Sequence, residues 1–175
     1  MKIPAITGEA YRPRYVFQKI SDITPAFFLS TGAKAAAVDL DNTLVYDGSF
    51  TPFPDAVQWV NGMKAAGIPV ILFTNTYTLR AHVLSKKFGL DYISPGRKPA
   101  PDGFAKCAMA LKTPFPELAM IGDQLLTDVR GANNVGAISM LVRPRHREIL
   151  LFFRYIRIRR AERDYLRRIG MEAEK

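Results

Sequence analysis

The sequence predicts a Rossmann-like α/β domain, a doubly wound parallel sheet of five strands. Five short apolar runs, at 35–40, 68–74, 92–94, 118–122 and 137–142, are bounded by turn residues in the manner of buried strands. Helical patterning fills the gaps between them, at 55–66, 77–88, 102–111 and 127–134. Strands that alternate with helices of about 10 to 15 residues form βαβ crossovers and hence a parallel sheet. Polar clusters follow four of the runs, and in such sheets ligands bind outside the carboxyl ends of the strands.

Taken in order, residues 1–34 read as a lead-in, with turn and proline signals from Gly8 to Arg14 that suggest flexibility. The start, Met1-Lys2-Ile3-Pro4-Ala5, lacks a charged region followed by a long apolar one, so no secretory signal is expected. The first strand ends in Asp39-Leu40-Asp41. Residues i and i+2 of an extended strand project to one side, so the two carboxylates leave the sheet edge together. Pro54-Asp55 can open the next helix, and Gly67 and Gly89 stand where left-handed helix caps are usual. Thr74-Asn75 closes the second strand, Ser94 to Lys98 follows the third and Gly122-Asp123 closes the fourth, all at the same edge.

At 175 residues the chain fits one domain with a single core, here placed at 35–142. The lone Cys107 excludes an intramolecular disulfide and a multi-cysteine zinc site, and reads as a helix-packing residue. His82 and His146 have no metal-ligand company, and Trp59 reads as core. No apolar stretch approaches the length of a bilayer span. A cytoplasmic protein is expected, with peripheral attachment to the inner face of the membrane as an extension of that reading. The net charge of +9 is uneven: residues 143–175 carry eleven Lys or Arg against five Asp or Glu. Such a tail attracts anionic surfaces, lipid or nucleic acid. Within it Ile149, Phe152, Phe153 and Ile156 share a helical face, with Arg154, Arg157, Arg159, Arg160 and Arg163 around or beyond them. This suits either a basic amphipathic helix on anionic lipid or a terminal helix docked on the sheet.

The strand-end residues suit hydrolysis of a phosphate monoester. That reaction needs an in-line nucleophile, a proton donor for the leaving oxygen and positive charge for the equatorial oxygens. Asp39 is the candidate nucleophile, and Asp41 can protonate the leaving oxygen and then activate water. Repulsion between a carboxylate and a phosphate calls for Mg2+, held by Asp39 and Asp123. Thr74 can hydrogen-bond a phosphoryl oxygen and Lys98 can offset its charge, with Asn75 beside them among the substrate contacts.

Asp39-Leu40-Asp41-Asn42-Thr43-Leu44, Thr74-Asn75, Arg97-Lys98-Pro99-Ala100-Pro101 and Gly122-Asp123-Gln124-Leu125-Leu126-Thr127-Asp128 resemble the four motifs of the haloacid dehalogenase superfamily, in order and at strand ends. The resemblance implies the roles already given to Asp39, Asp41, Thr74, Lys98 and Asp123. It adds the main-chain carbonyl of Asp41 as a metal ligand, and Asp128 as a metal ligand or a residue that orients Lys98 or a bound water. An Asp opening a helix is also simply a favourable N-terminal residue.

Between Asp41 and Thr74 there is room for a flap around 45–52, one helix and one strand, and between Asn75 and Lys98 for one helix and a short strand. The enzyme therefore reads as capless, with a site open to a large or surface-presented substrate or to a partner that completes the pocket. Pro25-Ala26-Phe27-Phe28, the Gly32-Ala33-Lys34 turn and Phe73-Thr74-Asn75 further resemble capless subclass III phosphatases, the YqeG-like or phosphatidylglycerophosphate phosphatase-like proteins. That resemblance implies a lipid-borne phosphomonoester. The alternatives are a soluble sugar phosphate or a nucleic-acid 3′ phosphate as substrate, or a non-catalytic protein that binds RNA or membrane through the tail.

Overall fold

The structure, a computed structural model, describes residues 5–145 and 152–171, with 152–155 described through their backbone alone. The five expected strands are present as β2 (Ala35–Val38), β3 (Val70–Phe73), β4 (Asp91–Ile93), β5 (Leu118–Gly122) and β6 (Ile138–Val142). The lead-in adds a sixth, β1 (Tyr15–Phe17), so the sheet has six strands where the sequence predicts five. Its order is β1-β6-β5-β2-β3-β4, with every pair parallel. β1 has only three residues, all half-buried, and pairs with a strand more than a hundred positions later. Neither a long apolar run nor strict alternation therefore marks it.

β2 lies at the centre and is almost all alanine, a residue with little intrinsic strand preference. Position makes it a strand. It bonds to β3 on one side and β5 on the other, and its small side chains let helices approach both faces closely. Ala36 and Val38 join Leu72, Ile121 and Met140 in one apolar layer, with Phe28, Trp59 and Met63 packed over them. Ala35 and Ala37 join Ile71, Phe73 and Met120 in the opposite layer, under Phe104 and Cys107. Cys107 is thus the packing residue expected, its thiol pushed up to about 12 by burial.

Among the described residues there are six α-helices, five between strands and one after the last: α1 (Pro25–Ser30), α2 (Pro54–Ala65), α3 (Thr78–Phe88), α4 (Pro101–Ala110), α5 (Arg130–Val135) and α6 (Phe152–Arg168). α1 is capped by Thr24, whose side chain accepts the Phe27 N–H at 3.1 Å. Gly89 ends α3 in the left-handed conformation expected of it. The helix expected at 127–134 is divided. A wide π-type turn at Leu125–Val129 precedes the short α5. Between Asp41 and Thr74 lie only a small hairpin flap, α2 and β3, and between Asn75 and Lys98 only α3 and β4, so no cap domain is inserted.

A third apolar cluster is built from both ends of the chain. Ile6 and Tyr11 meet Leu125, Val129 and Leu141 together with Tyr165 and Leu166 of α6. Asn133 donates to the carbonyls of Ala10 and Arg12 at 3.0 and 2.8 Å, and its own Oδ1 accepts from Ser139 at 2.8 Å. The stretch from Gly8 to Arg14, expected to be flexible, is tied down by these bonds. In the tail, Ile149 lies outside the described residues, as do His146 and the side chains of Phe152 and Phe153. The described inward face of α6 falls further along, at Ile158, Glu162, Tyr165 and Leu166, while Arg157, Arg160 and Arg163 are exposed. No described helix is long and apolar enough to cross a membrane.

Candidate active site

β2 is where the strand order reverses: the chain runs outward through β3 and β4, then returns to β5 and β6 on the other side. In open α/β sheets a crevice forms at such a switch point. Asp39 follows β2 and Asp123 follows β5, the two strands that flank it. The Asp39 N–H donates to the Ile121 carbonyl at 2.9 Å, which continues the ladder one residue and fixes the Asp39 backbone against β5.

Lys98 is the hub. It is buried, and its Nζ lies 2.7 Å from Asp39 Oδ1 and 2.7 Å from Asp128 Oδ1. Phe73 places its ring 5.2 Å from the same ammonium. Asn75 braces the lysine's backbone from both sides, donating to the Lys98 carbonyl at 3.0 Å and accepting its N–H at 2.8 Å. Burial alone would lower the ammonium's pKa, but the Asp128 and Asp39 carboxylates more than reverse that and hold it above its ordinary value. Thr74 is buried at the end of β3, its hydroxyl accepting the Thr76 N–H at 3.2 Å.

Asp128 comes from the π-type turn, and its Oδ2 accepts the Gln124 N–H at 3.1 Å. Gly122 makes room for it. A Cβ on Gly122 would lie 2.3 Å from Asp128 Cγ, so any larger residue would displace the carboxylate from Lys98. Ligand oxygens of Asp39, Asp123 and Asp128 all lie within 4.8 Å of one another, and all three residues are buried.

The electrostatics of this cluster are unbalanced. Burial pushes Asp39 up to about 7, opposed by Lys98 and reinforced by Asp128 and Asp41. Burial likewise drives Asp123 well above the ordinary carboxylate range, with Arg159 opposing. Among the described residues, four buried carboxylates, Asp39, Asp123, Asp128 and Glu162, face two buried or half-buried cations, Lys98 and Arg159, an excess of two negative charges when all are ionised. Asp123 Oδ1 is buried without a hydrogen-bond partner among the described residues. An all-oxygen donor set with two uncompensated charges and an orphaned carboxylate oxygen fits a hard divalent cation such as Mg2+.

Two residues at the site escaped the sequence reading. Arg80, 2% exposed, forks onto Asp41, donating to Oδ2 at 2.8 Å and to Oδ1 at 2.7 Å. It also donates to the Ser49 carbonyl of the flap at 2.6 Å and to the Thr76 hydroxyl at 3.1 Å, while Gly48 of the flap donates its N–H to Asp41 Oδ1 at 2.9 Å. Arg159, on α6, bonds to the Asp123 Oδ2 and, at 2.8 Å, to the Asp123 main-chain oxygen. No motif marks Arg80. Its one sequence signal is an arginine four residues after Thr76, so that its own helical turn brings it back to the strand end. Arg159 is hidden among the arginines of the tail, although its spacing from Glu162 is that of a helical ion pair.

A model of the haloacid dehalogenase-like hydrolases matches residues 35–136. The "Probable phosphatase YqeG" of Bacillus subtilis strain 168 is 33% identical over 134 residues, covering 77% of this chain and 78% of that protein. Among solved structures, an uncharacterized protein from Listeria monocytogenes serotype 4b superposes with a TM-score of 0.51 at 22% identity, over 61% of this chain and 76% of that one. That likeness speaks for the fold.

Proposed function

This chain belongs to the haloacid dehalogenase-like hydrolases, and from that membership we propose a phosphatase that cleaves phosphomonoesters through an aspartyl-phosphate on Asp39, with Mg2+ as its cofactor. The observation that carries the reading is the constellation of Asp39, Lys98, Asp123 and Asp128 at the switch point of the sheet. Asp39, Asp123 and the Asp41 carbonyl would hold the ion, with Asp128 beside them. When bound, the ion offsets the repulsion between the Asp39 carboxylate and the substrate phosphate.

The chain's own groups do the rest. A carboxylate oxygen of Asp39 attacks phosphorus, the bond from phosphorus to the leaving oxygen breaks, and Asp41 gives that oxygen its proton. Water then attacks the aspartyl-phosphate, Asp41 takes back a proton, and phosphate leaves as the acyl–phosphate bond breaks. Lys98 holds Asp39 in line and, with Thr74, meets the phosphoryl oxygens. Asp128 keeps Lys98 charged and aimed at Asp39. Both Asp41 oxygens are occupied by Arg80 in the structure, so proton transfer there requires one of those bonds to open. Because Arg80 and Asp41 both grip the flap, opening and flap movement belong to one event.

The finer reading is a lipid headgroup, phosphatidylglycerophosphate or a similar phospholipid. Its support is an uncapped site whose nearby exposed side chains are large and apolar: Tyr46 and Phe50 on the flap, Tyr77 and Leu79 where α3 begins. Basic side chains on α6 suit the same anionic surface. The test is phosphate release by purified protein from phosphatidylglycerophosphate in vesicles, a sugar phosphate and a 3′-phosphorylated oligonucleotide. We expect turnover on the vesicles that disappears with EDTA and falls at least about 1,000-fold in Asp39→Asn, the scale of losing a covalent nucleophile. Full activity in Asp39→Asn would refute the mechanism, and preference for either soluble substrate would refute the lipid reading.

A further inference from the structure

We infer that Arg159, delivered by the C-terminal helix α6, is a positioning residue for the cation site, so that docking of this helix and binding of the metal are coupled. The inference rests on the proposed assignment of Asp123 as a metal ligand.

Three contacts carry it. Arg159 holds Asp123 through Oδ2 and the main-chain oxygen, which leaves Oδ1, buried and without a hydrogen-bond partner among the described residues, to face a cation. Glu162, one helical turn on and also buried, accepts Arg159 at 2.8 Å, fixing the plane of the guanidinium. The other Glu162 oxygen accepts the Leu125 N–H at 2.7 Å, the first residue of the π-type turn that carries Asp128. α6 thus grips the loop after β5 at Asp123 itself and at the start of the turn that carries Asp128. Its anchor is the third apolar cluster, where Ile6 and Tyr11 meet Tyr165 and Leu166, and the Tyr165 hydroxyl donates to the Gly8 carbonyl at 2.8 Å.

Orienting groups behind a metal ligand commonly account for 10- to 100-fold in metal affinity. A guanidinium with one arm on a carboxylate oxygen and another on the adjacent carbonyl fixes the carboxylate more firmly than a point charge can. Coupling is reciprocal: if docked α6 strengthens the cation site, the bound cation strengthens the docking of α6 by the same factor.

The experiment counts free Mn2+ by electron paramagnetic resonance in wild-type protein and in Asp123→Asn, Arg159→Gln and Arg159→Lys. We expect one site in the wild type, none in Asp123→Asn, affinity about 10- to 100-fold weaker in Arg159→Gln, and partial recovery in Arg159→Lys. In parallel, hydrogen exchange of the wild type is followed with and without saturating Mg2+, and slower exchange of α6 amides is expected. Unchanged or tighter Mn2+ binding in Arg159→Gln, with Asp123→Asn still inactive in binding, overturns the inference alone. Should Arg159→Gln not fold, unchanged α6 exchange in the wild type overturns it. Wild-type protein that takes up no Mn2+ overturns the metal reading, and this inference with it.

Discussion

Arg80 and Asp41 form a two-pronged pair at the site, a guanidinium fork on a carboxylate with a flap carbonyl as third partner. Arg80→Lys keeps the charge and loses the fork. We predict a kcat about 10- to 100-fold lower with KM nearly unchanged, read from steady-state phosphate release. Arg80→Met leaves Asp41 without its cationic partner and should cost about 3 kcal/mol in urea unfolding, the low end for a broken buried pair because Asp41 retains some exposure and the Gly48 N–H. Asp39 makes a pH prediction. Its folded pKa is raised from 3.8 to about 7 mainly by burial, so between those values the folded state holds more of its proton than the unfolded state does. Its contribution to stability is therefore present below pH 4 and is lost as pH rises toward 7. In EDTA, Asp39→Asn should gain stability relative to wild type across that window, and a flat difference in urea midpoints would contradict it. That Asp39, Asp41, Thr74, Lys98 and Asp123 gather at one edge is legible in the sequence, because strand ends in a parallel sheet converge there. Arg80 is not, because its place depends on the length of a side chain reaching across from α3.

Elements divide in the same way. β2, β3, β5 and β6 are legible as apolar runs because both their faces are covered, whereas β1 has three half-buried residues whose pairing is wholly non-local. The π-type turn reads as plain helix because its residues keep a helical pattern, and only Gly122 hints at the crowding by Asp128. Gly122→Ala should push Asp128 off Lys98. A loss of about 1 to 3 kcal/mol is expected in urea unfolding, as for other overpacked cores, together with weaker catalysis. On the far side, Asn133 ties the N-terminal stretch to β6. Asn133→Ala should cost about 2 kcal/mol and speed hydrogen exchange around 8–14, since it leaves the Ala10 and Arg12 carbonyls without that donor.

For the molecule as a whole, the proposed cation site would link metal binding to global stability. At a free Mg2+ concentration 100 times the dissociation constant, binding adds about 2.7 kcal/mol. For a domain of this size that is about 5 to 10 °C in Tm, a shift that calorimetry should find in the wild type and miss in Asp123→Asn. Sequence alone supports the architecture and the absence of a cap, since the spacing between motifs limits what can be inserted. The docking of the tail is not legible, because an amphipathic basic helix looks the same whether a sheet or a membrane receives its apolar face.

The joining of the two ends of the chain around the loop after β5 also has a temporal side. During synthesis Asp39, Lys98, Asp123 and Asp128 all leave the ribosome before α6 does, and β1 waits for β6 before it can pair. A nascent chain would therefore carry those four residues while lacking the helix that bears Arg159 and Glu162. On the proposed reading, a chain whose α6 has not yet docked would hold the cation about 10- to 100-fold more weakly than the finished fold.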